Sequence, residues 1–60
     1  MEKGTVVRVK FLADLPSDQL HFRGMTGKVS IDSEPGCAVF VAFKDPDVCE
    51  QFHPDVLDIL

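Results

Sequence analysis

Hydrophobic and polar positions alternate most cleanly in TVVRVKF (Thr5–Phe11), where Val7, Val9 and Phe11 share one face and Arg8 and Lys10 the other. Alternation with period two marks a strand with one buried face, so this segment predicts the first strand with all three apolar residues inward. The pattern resumes at GKVSI, with Val29 and Ile31 inward and Lys28 and Ser30 outward. CAVFVAF (Cys37–Phe43) is apolar on both sides, with Val39, Val41 and Phe43 on one face and Ala38, Phe40 and Ala42 on the other. Continuous apolarity predicts a central strand, or one whose outer face is covered by something else. VCEQF supplies a short fourth strand through Val48 and Phe52. HPDVLDIL then predicts one helical turn started at Pro54 and a short closing strand over Leu57–Leu60.

The connections are unequal. LADLPSDQLHFRG, between the first two strands, is too broken by Pro16, Ser17 and two Asp for a helix and too long for a hairpin turn. Leu12, Leu15, Leu20 and Phe22 are expected to tack it onto the body of the domain. Gly24 and Gly27 then bend the chain into the second strand, at positions where positive φ or close backbone approach suits glycine. DSEPG and KDPD are dense in turn residues, with Pro46 inside the second. No segment carries the length and 3.6 period of an α-helix, and no internal repeat is visible. Five short strands, one long first loop and tight later turns predict a small closed or nearly closed barrel, since closure protects sheet edges.

Sixty residues make one domain, 1–60, and at this size folding buries only about 60% of the surface of the unfolded chain. A 45% hydrophobic content is nonetheless that of a folded domain. A substrate cleft of several hundred Å³ needs a packed shell that such a chain can hardly provide, which weighs against an enzyme and against a small-molecule substrate. The net charge of −4 is unevenly spread: five cations and three carboxylates in residues 1–30, one cation and seven carboxylates in residues 31–60. A solvated surface explains that split most simply, and a polarised domain that orients against a partner is the sharper reading. Overall acidity argues against generic binding to phosphate backbones. No apolar run approaches the ~20 residues of a membrane span, and MEKGTVVRVK lacks the apolar core of a secretory signal. A cytoplasmic location is expected, or an organelle stroma if a transit segment has been removed.

Candidate chemistry is sparse. GMTGKV superficially resembles a phosphate-binding loop, but only two residues separate its glycines, Val29 stands where a hydroxyl is needed, and a strand follows where a helix is required. Cys37, Cys49, His21 and His53 lack the close-spaced pairs that make a zinc site convincing. If the last tight turn centres on KDPD, Phe43 faces Val48 and Cys49 lies opposite Ala42. Cys37 is then several pairs away from Cys49, too far for a disulfide. Both thiols are expected to pack as small hydrophobes, buried or half-exposed. His53, before Pro54 and near Asp55 and Asp58, is read as a cap and not as an acid–base catalyst. No cofactor or metal is expected.

GTVVRV, the DLP of the long loop, FRGMTGKV, AVFVAF and FHPDVLDIL together resemble the SH3-like small-barrel families over nearly the whole chain. Two groups share the pattern. One is the set of photosynthetic accessory barrels, which includes the variable chain of ferredoxin–thioredoxin reductase, a small accessory barrel of photosystem I and the ferredoxin-docking component of the photosynthetic NDH complex. The other is a group of bacterial barrels of unassigned function. The variable reductase chain is most similar in Gly24-x-x-Gly27-x-Val29, in Val41–Phe43 and in Phe52-x-x-Asp55-x-Leu57. This chain is shorter and lacks a histidine-containing insert in the first long loop. The resemblance implies an all-β, five-stranded SH3-like barrel that does no chemistry and packs on a larger, possibly redox, enzyme. A protein partner is therefore expected, met by Phe40 together with Arg23, Lys28 and Phe22. The alternative is a KOW-like nucleic-acid-binding barrel using Arg8, Lys10, Arg23 and Lys28, with Phe22 free to stack on bases. A stand-alone enzyme ranks third.

Overall fold

The computed structural model describes residues 1–44 and 47–60. Five strands form: β1 (Val6–Val9), β2 (Thr26–Val29), β3 (Val39–Lys44), β4 (Asp47–Phe52) and β5 (Leu57–Ile59). All pair antiparallel in one sheet of order β4-β3-β2-β1-β5. A 3-10 turn, Pro54–Val56, precedes the last strand. The protein is thus all-β, with five antiparallel strands and the helical turn where Pro54 places it.

The β3–β4 register puts Phe43 opposite Val48 and Ala42 opposite Cys49, the pairing that a turn at KDPD implies. Asp45 and Pro46 themselves lie outside the described residues. β4 and β5 stand at opposite ends of the strand order, yet only residues 53–56 connect them. Five flat strands would separate the outermost pair by roughly 19 Å at ~4.8 Å per step. Five chain steps span at most about 18 Å fully extended, and less when three residues are coiled in a 3-10 turn. The sheet therefore curls, and Phe52 of β4 and Leu57 of β5 meet in one core.

That core is built from the inward positions Val7, Val9, Val29, Val39, Val41, Phe43, Phe52 and Leu57, joined by Ala13 and Phe22 from the long loop. Three rings make its centre. Phe22 stacks on Phe43 with centroids 4.9 Å apart, and Phe52 meets both edge-on at 5.7 and 6.1 Å. Such offset and edge-to-face pairs add to the apolar area they bury.

The long loop is more ordered than its composition predicts. Ser17–Phe22 coil into a 3-10 helix after Pro16, whose carbonyl accepts from the Gln19 N–H at 2.9 Å. A 3-10 turn needs only i to i+3 contacts, so Pro16 before it and Asp18 in its first turn suffice. The coil swings Phe22 into the core. Gln19 Nε2 donates to the Gln51 carbonyl at 3.1 Å and to Glu50 Oε2 at 3.3 Å, fastening the coil to edge strand β4. Leu15 packs partly against the core, whereas Leu12 and Leu20 are exposed and do not tack the loop down.

Two residues expected inside, Phe11 and Ile31, lie outside, and Val48 is exposed with them. Phe11 is 65% exposed because β1 stops at Val9 and the chain turns, with the Ala13 N–H bonded to the Lys10 carbonyl; Ala13 takes the inward place. Ile31 is 53% exposed because β2 runs from Thr26 to Val29 and ends before it. Val48 keeps the inward parity, opposite Phe43, but β4 is an edge strand and its far end leaves the core. Both cysteines are free and exposed, so neither thiol packs as a buried hydrophobe.

Candidate docking surface on the outer sheet face

The register fixes which residues share the face turned away from the core. One row crosses four strands as Val6, Lys28, Ala42 and Cys49. Flanking rows hold Phe40 opposite Gln51, Lys44 opposite Asp47, and Arg8 between Thr26 and Asp58. The cations therefore concentrate here. Arg8, Lys28 and Lys44 belong to this face by parity, and Lys10 joins it through Asp58, Nζ to Oδ1 3.9 Å. Against these four stand Asp47 and Asp58 among the described residues. The face is thus net +2 in a chain of net −4. The Lys10–Asp58 pair is about half exposed on both sides and adds little to stability.

An open groove of about 640 Å³ runs along this face, lined by Val6, Met25–Lys28, Ala42–Lys44 and Asp47. Small residues lie along it. Gly27 occupies an inward position of β2, where a Cβ would lie 2.7 Å from the Ala42 carbonyl oxygen and from Val41 Cγ1, and 2.9 Å from Phe43 Cδ1. Glycine there lets β2 press against β3, and Ala42 keeps the outer surface low. Gly24 serves differently: its φ of 79° makes the bend into β2, and its bare Cα accommodates the Phe11 ring. The two glycines thus divide the roles of hinge and close approach.

The four residues expected to meet a partner are not brought together. Phe40 is on the outer face, 37% exposed, and Lys28 is exposed in the neighbouring row. Phe22, at 2% exposure, is locked in the aromatic core, so it is presented neither to a protein nor to a base. Arg23 follows the 3-10 helix, off the sheet, and its Nε donates to the Ala13 carbonyl at 2.7 Å, which ties the loop to itself. Lys44 and Val6 are not singled out by the sequence pattern, although the parity that selects Phe40 and Ala42 also selects Lys44.

Arg8 is half-buried, its guanidinium 5.5 Å from the Phe11 ring centroid, and its Nε is buried without a hydrogen-bond partner. Cation–π attraction offsets part of the cost of that burial. Cys49 Sγ lies 3.5 Å from Ser30 Oγ at the margin of the face. His53 is the N-cap of the Pro54–Val56 turn, its Nδ1 accepting the Asp55 N–H at 3.1 Å. The same nitrogen lies 3.5 Å from Asp55 Oδ2. A nitrogen that accepts the backbone N–H carries no proton for the carboxylate, so the cap is the bond that counts. Among the described residues no three His, Cys, Asp or Glu side chains converge as metal ligands. No helix among them is long and apolar enough to cross a membrane. No family model matches the chain, and no curated protein or solved structure does either.

Proposed function

We propose that the chain is a non-catalytic interaction module, an SH3-like small barrel that docks as an accessory subunit on a larger protein through the outer face of its sheet. The observation that carries this reading is Phe40, an aromatic ring 37% exposed on an interior strand, beside half-buried Ala42 and a groove with an apolar floor. An open aromatic next to small residues is the kind of anchor that protein interfaces bury at their centre. The photosynthetic barrels that the chain resembles suggest a redox enzyme as the host.

Affinity purification from the source cells, with wild-type chain and Phe40→Ser side by side, tests the proposal. A reproducible protein partner lost in the variant is expected; equal recovery by both would sink it. A second reading, nucleic-acid binding, draws support from the four cations on the outer face, although Phe22 is not available to stack. Titration with single-stranded RNA at two salt concentrations tests it, since binding through phosphates weakens steeply as salt rises.

A further inference from the structure

The charge of the outer face specifies what kind of protein segment it accepts. We propose that its occupant is an acidic segment of a protein partner, which lays one apolar side chain in the groove and sets carboxylates against Lys28 and Lys44; this rests on the docking reading above. Most of the surface of a chain of net −4 repels such a segment, whereas the outer face, net +2 among the described residues, attracts it. The groove floor is apolar through Val6, Met25 and Ala42. Lys28 stands next to Ala42 and is exposed, and among the described residues it forms no ion pair. Asp47, across from Lys44, marks one end of the groove and weakens the pull of Lys44 on a carboxylate, so Lys28 contributes the larger share and Lys44 the smaller.

The groove, about 640 Å³ and open to solvent, holds an apolar side chain with its flanking backbone. Single-stranded RNA is the poorer fit. Tracking a strand takes successive aromatic platforms, and among the described strand residues the outer face offers Phe40 alone.

The test is an NMR titration of the ¹⁵N-labelled chain with two seven-residue peptides. One has a central Phe between glutamates, the other the same Phe between glutamines. An oligouridine RNA and sedimentation of the chain alone complete the set. Expected are amide shifts centred on Gly27, Lys28, Phe40 and Ala42 with the glutamate peptide, and about tenfold weaker binding of the glutamine peptide. The double variant Lys28→Glu/Lys44→Glu should lose the preference with its circular dichroism unchanged, and Lys28→Arg/Lys44→Arg should keep it. Equal affinity for both peptides at the same amides overturns the acidic-segment proposal while leaving docking intact. So does absence of shifts on this face with either peptide, because the docking reading stands or falls by the Phe40→Ser purification. Tighter binding of oligouridine than of the glutamate peptide to the same amides, or self-association that covers them, also overturns it.

Discussion

From Val39 to Phe43 both faces of β3 are apolar in sequence, and they end in different environments. Val39, Val41 and Phe43 are sealed against Phe52, Phe22 and the β2 backbone, while Phe40 and Ala42 look out between Lys28, Cys49 and Gln51. Hydrophobicity alone does not separate them. What separates them is the neighbours that the register supplies. Inward, a second layer comes from the 3-10 coil that carries Phe22; outward, the flanking strands offer charged and small side chains and no second layer among the described residues. Burial of an apolar strand residue is thus decided by what packs on its face and not by its own hydrophobicity.

Substitutions on either side of this divide test it. Phe43→Ala removes a ring in contact with both other core aromatics and should cost about 3–5 kcal/mol. Cores of this size rarely supply more than about 3–5 kcal/mol, so the variant should be largely unfolded by circular dichroism at 25 °C. Gly27→Ala is expected next, at about 1–3 kcal/mol, because its Cβ meets the Ala42 backbone and cannot be relieved by a rotamer change. A urea midpoint unchanged by this substitution would mean that β2 and β3 are not pressed together there. Gly24→Ala should cost about 1–2 kcal/mol, the strain of a left-handed alanine, since the ring it meets belongs to exposed Phe11 and can swing aside. Smallest of all, Phe40→Ser should change stability by less than about 1 kcal/mol in the same urea titration. A Phe40 loss comparable to that of Phe43 would erase the distinction between the faces.

Much of this is legible along the chain, and the failures have physical causes. Alternation places Val39, Val41 and Phe43 inward, and the KDPD turn gives the pairing of Ala42 with Cys49. His53–Pro54 announces the closing turn, because a proline at N1 and a capping side chain are local signals. Phe11 and Ile31 are misplaced for a common reason: parity says which face a side chain takes but not where the strand leaves the sheet. Ser17–Phe22 looks irregular because one and a half to two turns of 3-10 helix leave no periodic trace. That same silence hides the fate of Phe22, which sequence alone offers equally as loop anchor and as contact residue. The groove is invisible for a different reason. It lies along Val6, Lys28 and Ala42 on three strands, a juxtaposition that exists only once the register is set.

The pairing of Val7 with Ile59 joins residues 52 positions apart. On a ribosome, β1 emerges ahead of the other strands and then waits for a neighbour on that side until residue 59 has emerged. Vectorial synthesis therefore gives this domain no head start: the β2–β3–β4 meander can form early, but the curl that seals its core awaits the last strand. The chain should fold as a single late event, at a rate limited by non-local contact and not by local structure.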